Sequence, residues 1–147
     1  MHIVFTLGRF LLVLIFILSG AMKLLDISGT AANIAPVVVV PEFLADYVRQ
    51  LEGVTGMKVA QILAILAGSL ELVGGLLIAF NIATRPFALL LVIFTLVATF
   101  YFHDFWNMTG AARGTNMIHA LKNLAMIGGL LILFVLGSWR PTRPTHV

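Results

Sequence analysis

The chain has 147 residues, of which 61% are hydrophobic and only 10% charged, where soluble domains carry roughly 25% charged residues. Such a composition cannot cover a water-soluble globule, and the length allows one domain. Its lack of cysteine excludes thiolate nucleophiles, dithiol exchange, iron–sulfur ligation and Cys-based zinc sites. The formal charge of +3 comes from scattered basic residues, so no patch suited to nucleic acid is expected.

Four apolar runs fill most of the sequence, at roughly residues 3–25, 59–80, 86–105 and 117–139. About 20 residues at ~1.5 Å rise cross a hydrocarbon core of about 30 Å. The predicted fold is therefore all-α, a polytopic four-transmembrane-helix bundle, with the lipid bilayer as its surroundings. In the first run Arg9, Phe16 and Lys23 recur at i+7 and share a face. Ser19-Gly20-Ala21 has the form of a signal-peptidase site. The apolar stretch nevertheless outlasts a signal h-region and continues through Leu24-Leu25, so an uncleaved span is expected.

The connection 26–58 is the only long one. Pro36 and Pro41 bracket four valines in it, and an amphipathic segment follows. Phe43, Leu44, Tyr47, Val48 and Leu51 share one face opposite Asp46, Arg49 and Gln50. This segment is expected on the bilayer surface or across the mouth of the bundle. The short turn 81–86 makes the second and third spans an antiparallel hairpin, with Pro86 in a first helical turn. The third span ends in an aromatic belt, Phe100, Tyr101, Phe102, Phe105 and Trp106. Residues 107–116, rich in Gly, Thr and Asn, read as a loop before the fourth span. Residues 140–147 read as a tail.

Orientation follows from the flanks. Arg9, Arg85, Arg140 and Arg143 fall on one side, and Lys23, Arg49, Lys58, Arg113 and Lys122 on the other. The tight Arg85 turn and the two tail arginines favour both termini in the cytoplasm.

A charge at the bilayer centre costs at least ~2.5 kcal/mol, so each one needs a partner or a purpose. Glu71 is flanked on its own helix face by Gly68 and Gly75, which permit close helix approach. Lys122, Ala125 and Gly129 repeat that spacing. Counting in from the run ends puts Arg9 and Glu71 within about 5 Å of one height, an expected intramembrane charge pair. Lys23, His103, Asp104, Lys122 and Asn123 gather toward the opposite face. In this group Asp104 could orient the His103 ring, and Lys122 and Asn123 could donate to a ligand oxygen. His103, Asp104, Lys122 and Asn123 are the candidate catalytic residues, although no catalytic constellation is demonstrable and enzyme activity stays open. Both clusters could equally serve only to neutralise charge and set helix register. His103 and His119 lack a third ligand or a haem signature, so no metal site is expected. His2 and His146 are terminal, and Met117 and Met126 suit packing.

Read together, these motifs resemble the DoxX family of bacterial membrane proteins. The matching elements are Gly8-Arg9, Ser19-Gly20-x-x-Lys23, Glu71-x-x-Gly74-Gly75-Leu76-Leu77 and Thr84-Arg85. Phe102-His103-Asp104-Phe105-Trp106 and Lys122-Asn123-Leu124-Ala125-Met126-x-Gly128-Gly129-Leu130-Leu131 complete the set. The resemblance implies a multi-pass protein of the bacterial inner membrane, in a family linked partly to quinone-coupled oxidation and oxidoreductase complexes. Two readings follow. One is a redox-associated subunit that binds a quinone among the last three spans. The other is a non-catalytic assembly factor that binds a membrane partner or a second copy of itself. A small transporter working through Glu71 would need oligomerisation to enclose a path.

Overall fold

A computed structural model describes residues 2–137, which form six α-helices and two short 3₁₀ turns. The fourth predicted span's end at Trp139, together with Arg140, Arg143 and His146, lies outside the described residues. Helices α1 (His2–Leu25), α4 (Val59–Ala79), α5 (Thr84–Phe102) and α6 (Gly110–Leu136) are the long ones. All four are long and apolar enough to cross a membrane, so the protein is an all-α, multi-pass membrane protein.

Between the first two spans lie α2 (Ile27–Ile34) and α3 (Ala45–Thr55). Asp26 separates α1 from α2 and caps α2, its Oδ1 accepting from the Gly29 amide at 2.8 Å. Ala31 and Ile34 of α2 then pack on Ala60 and Ala64 of α4. Much of the long connection is thus a continuation of the first span along α4. Helix α3 and the 3₁₀ turn Glu42–Leu44 before it form the amphipathic segment, with Phe43, Tyr47 and Val54 exposed. Glu52 at its end accepts from the Val59 amide at 2.8 Å and so caps α4.

Small residues set the register between α1 and α4. A Cβ on Gly20 would lie 2.6 Å from the Gly68 carbonyl oxygen, and one on Gly75 would lie 2.8 Å from Cγ1 of Ile17. Only glycine allows backbones this close. The hairpin half of the bundle is solid: Val13, Phe16, Ile78, Leu91, Leu130 and Leu133 form one buried cluster there. Gly74 admits Phe87 and Leu91 in the same region. At the hairpin itself Asn81 and Ala83 both adopt left-handed backbone, at φ 60° and 46°.

Two boundaries differ from the sequence expectation. Helix α6 starts at Gly110, so most of the expected loop 107–116 is helical. The tract Ala111-Ala112-Arg113 consists of strong helix formers, which outweigh the neighbouring Gly and Thr. Helix α5 starts at Thr84 and ends at Phe102, with Pro86 in its first turn, where no intrahelical donor is lost.

Candidate functional site

Glu71 pairs with Lys23. The Lys23 ammonium sits 2.6 Å from Glu71 Oε2 and also donates to Ser19 Oγ one turn back on α1. Helical side chains lean toward their own N-terminus. In an antiparallel pair, Lys23 and Glu71 therefore lean toward each other. The Glu71 side chain is only 6% exposed and that of Lys23 27%.

The expected Arg9–Glu71 pair is corrected by this geometry. Equal counting from the run ends assumes that antiparallel helices end level. The Gly20–Gly68 and Ile17–Gly75 contacts instead set Glu71 beside residues 19–23. Arg9 lies 14 residues earlier on α1 than Lys23, about 21 Å along the axis at 1.5 Å per residue. It is buried near the hairpin end, with its guanidinium carbon 5.8 Å from the Phe5 ring centre and no hydrogen-bond partner at Nε among the described residues.

The four candidate catalytic residues grouped from sequence separate in space. Asn123 faces inward and donates to Thr99 Oγ1 at 2.8 Å. Lys122, one position and about 100° away on the same helix, is exposed on the outer surface. The His103 ring meets Asn116 Oδ1 through Nδ1 at 3.0 Å and stacks on His119, ring centres 5.0 Å apart. Asp104 does not orient that ring. It accepts from Asn107 at 3.2 Å and lines a separate small concavity of about 360 Å³ with Trp106 and Tyr101. Arg85 reaches the Val135 carbonyl at 3.4 Å and ties the start of α5 to the end of α6.

What joins Lys23, Glu71, His103 and Asn123 is a cavity of about 1060 Å³ between the α1/α4 and α5/α6 pairs. Its walls are largely apolar, with Phe16, Leu70, Phe94 and Met126 among them, and polar groups sit at intervals. The sequence reading missed Asn116, the α2 groups Asp26, Thr30 and Asn33, and the α5 residue Thr95. A signal existed for the first: Asn116, His119 and Asn123 fall at i, i+3 and i+7 on one face of α6. A cavity of this size and lining suits an amphiphilic small molecule.

Comparison with known proteins agrees with the architecture. Residues 4–104 match the DoxX family. The chain is 32% identical over 130 residues to the inner membrane protein YphA of Escherichia coli (strain K12), covering 88% of this chain and 80% of YphA. It is 31% identical over 130 residues to the inner membrane protein YqjF of the same organism, covering 88% and 81% respectively. No solved structure matches. With its motifs, its four spans and both relatives in accord, the chain belongs to the DoxX family of integral membrane proteins.

Proposed function

We propose that the protein is a redox-associated subunit of the inner membrane whose cavity binds a quinone or a similar lipid-soluble carrier. The observation that carries this reading is the cavity itself, where a largely apolar open cleft of about 1060 Å³ brings Lys23 and Glu71 together with His103 and Asn123. A quinone needs an apolar slot for its ring and tail, and donors for its carbonyl oxygens. Lys23 Nζ and the Asn123 amide are donor groups of that kind, and the free His103 nitrogen beside them can accept from a quinol hydroxyl. Both termini lie in the cytoplasm in this reading, and fusions of a topology reporter test it by giving a cytoplasmic signal at Val147 and a periplasmic one at Gly53.

The binding experiment is direct. Protein purified in mild detergent is extracted with solvent, and the extract is analysed for quinones by mass spectrometry. The same protein is then titrated with a short-chain quinone. Saturable binding that weakens about tenfold in Asn123→Leu supports the reading, since a lost hydrogen bond of ~1.4 kcal/mol is worth a factor of ten. The absence of both co-purified quinone and saturable binding removes it.

A second reading, a non-catalytic factor that binds a partner helix, is favoured by the outer face of α6. Lys122 and Ala125 are exposed there, and Gly128 has open space where a side chain would point. Small residues beside an intramembrane cation suit a partner helix bearing a carboxylate. Co-purification of a membrane protein that is lost in Gly128→Leu tests it.

A further inference from the structure

The Lys23–Glu71 pair joins the last turn of α1 to the middle of α4. Glu71 is the thirteenth of the 21 residues of α4, about 18 Å from one helix end and about 12 Å from the other at 1.5 Å per residue. A buried carboxylate at mid-helix is a costly arrangement in a membrane protein, and such groups commonly mark a path for ions or protons.

Along the helix axes the cavity reaches this pair from one side only, and its lateral mouth is lined by the exposed apolar residues Leu18, Met22, Leu66 and Val97. Every α4 residue lining it lies at or before Glu71, from Leu63 onward, and every α5 residue lining it lies at or after Phe94. The space therefore occupies the half of the bundle toward α2 and His103. On the other side of Glu71, Gly74 and Gly75 bring the helices into contact, and Val13, Ile78, Leu91 and Leu130 fill the core with no exposed surface. Polar groups mark the open half from rim to floor. Asp26, Thr30 and Asn33 stand along α2, Tyr101 and His103 lie at the end of α5, and Thr95 and Ser19 lie nearer the pair. The titratable groups facing this space besides Glu71 are Lys23, Asp26, Tyr101 and His103; α6 contributes the neutral Asn123.

We propose that this crevice is a one-sided aqueous passage through which the Lys23–Glu71 pair exchanges protons with the membrane face bearing α2 and His103, and with that face alone. In the exchange a hydronium gives a proton to a Glu71 carboxylate oxygen and leaves as water. One O–H bond breaks and one forms, and the contact with the Lys23 ammonium loosens. The buried cluster on the far side blocks escape, so any proton taken or released by chemistry in the cavity comes from or goes to one compartment. The inference goes beyond quinone binding and stands without it.

The absence of native cysteine makes the test clean. Single variants Thr30→Cys, Asn33→Cys, Thr95→Cys and Ser19→Cys are made in the full chain, reconstituted in oriented sealed vesicles, and treated with a membrane-impermeant methanethiosulfonate. All four are expected to react from the same face, whereas Val13→Cys and Ile78→Cys remain unlabelled from both. If Thr95→Cys and Ser19→Cys react only with permeant N-ethylmaleimide, the crevice is filled by lipid and the proposal fails. Labelling of Val13→Cys or Ile78→Cys from the opposite face means a continuous path and overturns one-sidedness. Infrared difference spectra against pH supply the proton readout. A carboxyl C=O band that rises on acidification and vanishes in Glu71→Gln is expected, and no Glu71-dependent band at any pH at which the protein stays folded refutes the exchange. Each Cys variant is checked by gel filtration, and the thiol-free variants Thr30→Ser and Thr95→Ser give the labelling background. A labelling failure leaves quinone titration unaffected, so the two readings fail separately.

Discussion

Lys23 and Glu71 are 48 residues apart in sequence and 2.6 Å apart in space, the one ion pair among the described residues that joins two membrane-spanning helices. Removing either partner strands the other in a low-dielectric site. Breaking a buried pair typically costs about 3–5 kcal/mol, while replacing both partners by apolar residues is often neutral. Lys23→Met should be the more damaging single change, because the Glu71 carboxylate is the more deeply buried partner. Lys23→Met/Glu71→Leu should recover most of the loss. Unfolding in mixed micelles measures all three, and a double variant no more stable than Lys23→Met defeats the pairing. In the same assay Arg9→Met and Glu71→Leu should be additive within about 0.5 kcal/mol, as expected for groups that do not touch.

The glycines make opposite predictions according to what surrounds them. A Cβ on Gly20 would meet Gly68 backbone at 2.6 Å, whereas one on Gly128 would meet nothing within 4 Å. Gly20→Ala should therefore force α1 and α4 apart at a cost of about 1–3 kcal/mol. Gly128→Ala should be neutral or stabilising by up to about 1 kcal/mol, the ordinary helix preference for alanine. Equal effects of the two substitutions would mean that the α1/α4 contact is not as close as described.

How much of this was legible in the sequence follows from what each signal measures. Apolar runs report length and burial in lipid, so the four spans and the all-α class could be read directly. They say nothing about register, and the Arg9–Glu71 pairing failed for that reason. The glycines that set the register were visible at Gly68 and Gly75, but their partners Gly20 and Ile17 on α1 were not identifiable without knowing which helices meet. Helix α2 was hidden because Ile27-Ser28-Gly29-Thr30 carries neither a long apolar run nor strong helix formers. Its helicity comes from the Asp26 cap and from packing of Ala31 and Ile34 on α4. The candidate site was half legible for a similar reason. Asn123 and Lys122 are neighbours in sequence, yet a helix sends them to different faces.

The hairpin between α4 and α5 offers a simple stabilising change. Ala83 holds a φ of 46°, a region that costs a non-glycine residue roughly 1 kcal/mol. Ala83→Gly should relieve that cost, less the entropy glycine adds to the unfolded chain, for a net gain of a few tenths of a kcal/mol. The converse holds at Gly56 and Gly110, with φ 68° and 61°. Alanine there should lower stability by about 1 kcal/mol. Thermal unfolding of the three variants side by side checks the signs.

The last prediction concerns the His103 tautomer. Asn116 donates its own amide to the Ala112 carbonyl at 3.1 Å, which leaves Oδ1 as the atom facing the ring. That oxygen only accepts, so His103 Nδ1 must carry the proton in the neutral ring and Nε2 is left as the acceptor. A ring held this way, and stacked on His119, presents a basic nitrogen while its orientation is fixed by a neutral partner. Asp104, the adjacent carboxylate, is engaged by Asn107 instead. Nitrogen-15 spectra of histidine-labelled protein should therefore show the Nδ1–H tautomer for His103. Asn116→Leu should shift the ring to a mixture dominated by the Nε2–H form, as in free imidazole side chains, and Asp104→Asn should leave the spectrum unchanged. The two variants separate the alternatives without any assay of activity. A tautomer that responds to Asp104 and ignores Asn116 would return the ring to the carboxylate that the sequence alone had paired with it.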